Sequence, residues 1–158
     1  MPQFRPLFLS LIAAAALLAM PATTFAQDAR VAGQVKLRQS AYTVLGAQMG
    51  AMGAMASGRA PYDAAAFRLA ADRAAFMATI VSDTFPAGSA GGNSKAKPEL
   101  WQQQADFQRL MKDMQAKTAA LATALATAAK GSDLEAIKPA FGAAGASCKA
   151  CHDKYKMD

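Results

Sequence analysis

Residues 132–155 read SDLEAIKPAFGAAGASCKACHDKY, and this stretch decides the fold class. Ser132-Asp133-Leu134-Glu135 is a capping-box sequence, which predicts the start of a helix. Downstream side chains recur with helical spacing on one face. These are Leu134, Ile137, Phe141, Cys148, Cys151 or His152, and Tyr155. Pro139 is expected to kink this helix or to shorten its first part. The stretch predicts a long amphipathic helix that must pack against other helices.

Three upstream segments have the same helical periodicity. The first covers roughly residues 28–55 and carries the stripe Arg38, Tyr42, Leu45, Met49 and Met52. The second covers roughly 63–83, with Phe67, Ala70, Ala74, Met77 and Val81. The third covers roughly 98–129, with Leu100, Phe107, Met114 and Leu121. Alternating β-branched runs are absent. Short links join the first predicted helix to the second and the third to the fourth. The sequence predicts an all-α protein with an antiparallel up-down-up-down four-helix bundle.

The N-terminal residues have the pattern of an export signal. Arg5 precedes an apolar run over 7–20 that only Ser10 interrupts, and Thr24-Phe25-Ala26 forms a small-x-small cleavage site. The run is short for a membrane span, so a signal peptide over 1–26 is favoured over an uncleaved anchor. We expect a bundle domain over 27–158 that is soluble in the periplasm, without membrane association after cleavage.

Composition excludes several classes of protein. The chain has 158 residues, a formal charge of +6, two cysteines and one histidine. Two cysteines are too few for a disulfide-framed miniprotein. A single histidine excludes a zinc site built from two or more histidines. The charges are scattered and no aromatic residues alternate with basic ones, so nucleic acid is not an expected partner. No nucleophile motif accompanies His152, and a peroxidase would need a second, distal histidine. We therefore expect a protein that is not an enzyme.

The motif Cys148-Lys149-Ala150-Cys151-His152 is C-x-x-C-H, the attachment sequence of haem c. Cysteines at this spacing match the two vinyl groups at one porphyrin edge, and the adjacent histidine then binds the iron. The motif predicts one covalent haem c per chain, held by two thioethers, with His152 as axial ligand. Three alternatives remain at this point: a redox-active C-x-x-C, a zinc site and a structural disulfide.

Four stretches resemble the cytochrome c′ family, in the family's order. They are AFGAAGASCKACHDKY at 140–155, LRQSAY at 37–42, APYDAA at 60–65 and KPELW at 97–101. The resemblance implies a soluble periplasmic protein, usually a homodimer, with a five-coordinate, high-spin haem. It also implies electron transfer activity, with small redox proteins as partners, and binding of NO and CO at the vacant axial position.

The resemblance also assigns residues. Cys148 and Cys151 match the thioether cysteines, and His152 matches the proximal ligand. Arg38 and Gln39 match a first-helix pair near the haem, where the arginine approaches a propionate. The segment 94–97 resembles the family's haem-edge loop, in which no single residue is assigned. The family's usual arginine four residues after the histidine is replaced here by a lysine, Lys156.

Tyr42 decides between the two expected ligation states. It matches the family position that lies over the vacant iron face, and it is one turn from Arg38 on the same helix face. Related low-spin cytochromes have methionine there and bind the iron with it. A tyrosine therefore favours the open, gas-binding haem over the alternative, a six-coordinate, Met-ligated electron carrier of the same fold.

Overall fold

The computed structural model describes residues 20–127 and 133–157, and these fold into four long helices and one short one. The helices are α1 (Met20–Ala56), α2 (Ala64–Ser82), α3 (Glu99–Gln102), α4 (Gln104–Thr127) and α5 (Leu134–Tyr155). The described ranges contain no strand, only an isolated antiparallel bridge between Ala96 and Lys156. The predicted all-α, antiparallel four-helix bundle is confirmed.

The predicted stripes form the core. Phe67, Phe107 and Leu121 are fully buried, and Met52 of α1 lies among them. The inner face of α2 is rich in alanine, with Ala71, Ala74, Ala78 and neighbours buried. Small side chains let a helix approach its neighbours closely, and α2 packs against both α1 and α4. The helix α5 packs along α4 but meets α1 over a much narrower contact. A cavity occupies the resulting gap between α1 and α5.

Two of the predicted helices differ from the observed ones in their bounds. The helix α1 begins at Met20 and so extends across the expected cleavage point after Ala26. The run at 7–20 lies almost entirely outside the described residues. The third predicted helix is broken at Gln103, whose φ of −112° and ψ of 46° are not helical. Within the described ranges, no helix has the length and apolar character needed to cross a membrane.

The start of α5 also differs in detail. Asp133 is its N-cap, and its carboxylate accepts a hydrogen bond from the Glu135 amide at 2.9 Å. Ser132, the predicted capping residue, lies outside the described residues. The helix neither starts after Pro139 nor ends there. Pro139 lies in the second turn, where a missing amide removes only the hydrogen bond to the carbonyl of Glu135.

Candidate haem site

A cavity of about 550 Å³ lies between α1 and α5 and is lined mostly by apolar side chains. The segment around Ala96 closes one edge, and Leu100, Phe107 and Met114 form its inner wall. Gly46 of α1 and Gly145 of α5 line the two long sides. A Cβ atom at either glycine would meet no other atom within 4 Å, so both glycines face open space. The cavity therefore has room for a group much larger than a diatomic gas.

Both cysteines of the motif line this cavity. Cys148 is half-buried and Cys151 is buried, and the two thiols are not joined in a disulfide. Burial raises the pKa of the Cys151 thiol to about 11 and also raises the pKa of Cys148. Both side chains are therefore neutral thiols near pH 7, presented to the cavity from neighbouring turns of one helix.

The imidazole of His152 lines the cavity beside them. Burial lowers its pKa, and the ammonium group of Lys156, one turn later, lowers it further. Both effects favour the neutral imidazole, which is the form that binds a metal ion. Lys156 also lines the cavity, so the lysine that departs from the family pattern lies next to the imidazole.

Tyr42 faces this imidazole from α1. The two ring centroids are 6.4 Å apart, with an angle of 58° between the planes. The ring of Phe85 packs edge-on against Tyr42 at 6.3 Å, and the hydroxyl of Tyr42 lies 4.0 Å from the sulfur of Met111. Burial raises the pKa of Tyr42 above its ordinary value, so the phenol stays protonated at neutral pH. Tyr42 thus presents a neutral, mainly apolar face to the cavity.

Arg38 is buried at the cavity edge, with only 4% of its surface exposed. Its Nε and Nη2 donate to the carbonyl oxygen of Thr84 at 3.1 and 2.8 Å. Nη2 also donates to the hydroxyl of Ser89 at 2.8 Å, and Nη1 donates to that of Ser94 at 3.0 Å. The guanidinium stacks over Phe85 at 4.2 Å from the ring centroid. All these partners are neutral, so a buried positive charge lies beside the cavity without a carboxylate among them.

Gln39 has a more peripheral position. Its side chain is exposed, and Nε2 donates to the carbonyl oxygen of Asn93 at 2.7 Å. The residue still lines the cavity, on the side where Arg38 holds the loop between α2 and α3. The adjacent pair therefore fastens α1 to both ends of that loop.

Sequence reasoning missed the loop residues that surround Arg38. Thr84 and Ser89 are buried polar residues, and Phe85 lines the cavity. The Gly-rich composition of the loop predicted an irregular connection but carried no signal for its fold. The position of the guanidinium explains why the hydroxyls of Ser89 and Ser94 and the carbonyl oxygen of Thr84 point inwards, since each accepts a hydrogen bond from it. Ser94 was within the segment recognised as a haem-edge loop, although its role had not been assigned.

The residues present fit haem better than the alternatives left open by the motif. Haem is a flat, apolar group with two carboxylates, and the cavity offers apolar walls, two glycines and the unneutralised cation of Arg38. Within residues 20–127 and 133–157, no three side chains of the His, Cys, Asp and Glu types come together as a metal cluster. The two cysteines and the histidine of the motif therefore lack the further ligand that a four-coordinate zinc site needs among the described residues. The all-helical surroundings also lack the βαβ context of thioredoxin-like redox motifs.

Comparisons with known proteins agree with this geometry. A family model described as cytochrome c′ matches residues 33–156. The cytochrome c′ of Alcaligenes xylosoxydans xylosoxydans is 36% identical over 130 residues, which cover 82% of this chain and 98% of that protein.

Several solved structures share the fold. A cytochrome c′ from Shewanella frigidimarina is 42% identical, with a TM-score of 0.75, over 81% of this chain and 97% of the other. A nitric oxide complex of a cytochrome c′ variant from Alcaligenes xylosoxidans is 34% identical, with a TM-score of 0.71, over 81% and 97%. A cytochrome c′ with an unusual ligand-controlled dimer dissociation is 30% identical, with a TM-score of 0.70, over 80% and 95%.

Proposed function

Since the chain belongs to the cytochrome c′ family of haem-binding electron carriers, we propose that it holds one covalent haem c whose iron is five-coordinate and high-spin. We further propose that it binds NO and CO at the vacant axial position and exchanges electrons with small redox proteins. One observation carries this proposal: Tyr42 lies opposite His152 across a haem-sized cavity that also contains both motif cysteines.

Cys148 and Cys151 would hold the haem through thioethers, and His152 would bind the iron. The cysteines and the histidine all line one cavity from consecutive turns of α5, which is the arrangement that C-x-x-C-H requires. The neutral imidazole favoured by burial and by Lys156 is the form able to bind iron. When bound, the haem supplies the ferric and ferrous states and the gas-binding iron.

Arg38 would place the haem carboxylates. Its buried guanidinium has only neutral hydrogen-bond partners among the residues described, and a buried charge is stabilised by an opposite charge nearby. A propionate at the cavity edge would provide that charge. Gln39 lies next to Arg38 at the exposed rim and would limit how far the haem edge extends into solvent.

Tyr42 supports an open iron face because a protonated phenol is a poor ligand and burial keeps it protonated. The competing ligand on α1 is Met49, which also lines the cavity. Met49 is seven residues from Tyr42, about 10 Å along a helix, so it is not level with the imidazole. Met-ligated, low-spin haem is the second candidate, and the methionine lining of the cavity is the observation in its favour.

Gas binding and electron transfer make different demands on the iron. A gas binder needs a vacant position, whereas an electron carrier gains from six ligands that change little on reduction. The Tyr42–His152 arrangement therefore favours binding of NO and CO as the more specialised property, with slower electron exchange. The nitric oxide complex of the Alcaligenes xylosoxidans relative supports the same choice. We propose no enzymatic reaction, because the chain has one histidine and it would be occupied as the iron ligand.

Export and self-association complete the proposal. The apolar run and small-x-small site support a signal peptide over residues 1–26 and a periplasmic location. A homodimer through α1 and α2 is supported by four exposed apolar side chains on these helices, namely Leu37, Val44, Leu69 and Phe76. Two glycines of α1 face the interior of the bundle and do not contribute to this interface. Gly46 lines the cavity, and a Cβ at Gly53 would meet Phe141 at 3.7 Å.

Absorption spectra of the ferric and ferrous protein test the ligation state. We expect five-coordinate, high-spin spectra in both states, and new bands when NO or CO is added to the ferrous protein. Six-coordinate, low-spin spectra that do not respond to CO would instead establish the Met-ligated alternative. The variant Met49→Leu is the matched control, because it keeps the apolar lining and should leave high-spin spectra unchanged.

A further inference from the structure

The segment 94–97 closes one edge of the cavity by pairing with the chain that follows the motif. The Lys97 amide donates to the carbonyl oxygen of Tyr155, and the Met157 amide donates to that of Lys95, both at 2.8 Å. Between these two hydrogen bonds, Ala96 faces Lys156 in the isolated bridge and lines the cavity. The Lys156 amide in turn donates to the carbonyl oxygen of His152 at 3.0 Å. The edge segment is thus fixed to the last turn of α5.

Ser94 connects this bridge to the opposite side of the cavity. Its hydroxyl oxygen accepts from Nη1 of Arg38 at 3.0 Å and from the Ala96 amide at 3.1 Å. One oxygen therefore joins α1 to the residue at the centre of the bridge. Ser94 itself is half-buried, whereas its neighbours Asn93 and Lys95 are exposed.

Arg38 is a rigid anchor for this contact. Its Nε and Nη2 are held by the Thr84 carbonyl, and its plane stacks on Phe85. Planar stacking and paired hydrogen bonds fix the direction of the guanidinium, so Nη1 points at a defined place. The hydrogen bond to Ser94 consequently fixes segment 94–97 relative to α1.

We propose that Ser94 is a positioning residue that holds segment 94–97 against the end of α5 and so keeps water away from the cavity edge next to His152. It acts through Arg38 on one side and through the Ala96 amide on the other, without touching the iron ligand. The closed edge, rather than the bridge alone, is what the serine hydroxyl stabilises, because the two backbone hydrogen bonds form an isolated bridge with no neighbouring strand pairing to support it.

Amide hydrogen exchange measures directly how firmly segment 94–97 is held against the end of α5. Ser94→Ala removes both hydrogen bonds of the hydroxyl, so exchange at Lys97 and Met157 should rise by about five- to a hundredfold. Ser94→Thr keeps the hydroxyl and should restore slow exchange. Ser89→Ala is the matched control, because Ser89 also accepts from Arg38 but has no contact with the bridge.

The reduction potential gives a second readout, and only this part rests on the proposed haem function. Water at an open edge favours the more highly charged ferric state, so the potential of Ser94→Ala should fall and that of Ser94→Thr should not. Unchanged exchange in Ser94→Ala, an equal rise in Ser89→Ala, or an unchanged potential would each overturn the proposal. A preparation without a haem absorption band would reject the proposed function. Exchange at the Lys97 and Met157 amides would still decide whether Ser94 holds segment 94–97 against α5.

Discussion

The ring of Tyr42 on α1 faces the ring of His152 on α5, with their centroids 6.4 Å apart. The two residues are 110 positions apart in sequence, and the bundle brings them to opposite sides of one cavity. A phenol kept protonated by burial lies on one side, and an imidazole kept neutral by burial and by Lys156 lies on the other. This asymmetry is the structural basis of the proposed site, in which the iron would have one strong axial ligand and one open face.

Replacing Tyr42 tests the open face. Tyr42→Ala removes a bulky ring that must move before a gas can bind, so CO association with the ferrous protein should become faster and CO affinity should rise. Stopped-flow mixing with CO measures both. The matched control is Tyr62→Ala, because the Tyr62 ring packs on Phe67 at 5.9 Å and does not line the cavity.

A second substitution at the same position tests its geometry. Tyr42→Met places a thioether opposite His152 and should give a six-coordinate, low-spin absorption spectrum. If Tyr42→Met stays high-spin and Tyr42→Ala keeps the parent's CO kinetics, Tyr42 is an ordinary core residue. The gas-binding proposal would then lose its main structural support.

Arg38 should make a large contribution to stability. Arg38→Gln removes the stacking on Phe85 and leaves the carbonyl oxygen of Thr84 and the hydroxyl of Ser89 short of donors. We expect the free energy of unfolding to fall by about 2–4 kcal/mol in urea titrations. Arg68→Gln is the control, since Arg68 is half exposed and forms only a 4.0 Å ion pair with Asp72.

The control should change stability by no more than about 0.5 kcal/mol. Equal effects of the two substitutions would show that the hydrogen bonds of Arg38 do not hold the loop. Another residue would then have to hold the loop between α2 and α3 at the cavity edge.

Asp106 should make stability depend on pH in the acid range. Its carboxylate accepts hydrogen bonds from Lys154, Arg109 and the hydroxyl of Tyr155, each at 2.8 Å, and they hold its pKa well below the ordinary 3.8. Because the folded-state pKa is depressed, this stabilisation is fully present above pH 3.8 and is lost as the pH falls below it. Asp106→Asn should therefore lower the melting temperature at pH 6, and the gap to the parent should narrow below pH 3.8.

Circular dichroism melts from pH 2 to pH 7 provide this measurement. Asp113→Asn is the control on the same helix, because Asp113 pairs only with Lys117, at 3.1 Å. It should lower the melting temperature less at pH 6. A gap between Asp106→Asn and the parent that stays constant over the whole range would contradict the prediction.

Phe76 tests the proposed dimer. Its side chain on α2 is 65% exposed, and Val44 on α1 is 46% exposed. Val44 lies twelve residues before the end of α1, and Phe76 lies twelve residues after the start of α2. The two side chains are therefore at about the same height in the antiparallel helix pair. Phe76→Ser should shift the sedimentation coefficient from dimer to monomer at micromolar concentration, because association must bury exposed apolar area.

A matched control uses an exposed apolar residue away from α1 and α2. Met157→Ser changes a side chain that is 41% exposed at the chain end, and it should leave the dimer intact. A parent protein that sediments only as a monomer would reject the dimer altogether. Equal loss of dimer in both variants would place the interface elsewhere.

Helical periodicity was enough to predict the bundle, because every predicted stripe lies in the core or on the cavity wall. Arg38 and Tyr42 illustrate this, since their spacing alone put them on one inward face of the first helix. Boundaries were harder. The break at Gln103 has no proline or glycine to mark it, and α5 continues through Pro139 although one intrahelical hydrogen bond is lost there.

The local motif predicted the chemistry of the site, but the surroundings of the site could not be predicted. The residues of C-x-x-C-H lie within about one turn of one helix. Cys148, Cys151 and His152 are therefore adjacent wherever that helix packs. Ser89 and Ser94 have no such pattern. They matter only because the loop folds around the guanidinium of Arg38, and that contact spans more than 50 residues of chain.

Denaturing mass spectrometry shows whether the chain carries a covalent haem. The protein should be expressed in a host able to attach haem c and then unfolded in acid before measurement. We expect the mass of chain 27–158 plus one haem, and we expect that added mass to be lost when Cys148 and Cys151 are both replaced by serine. A mass equal to the bare polypeptide would contradict the covalent haem.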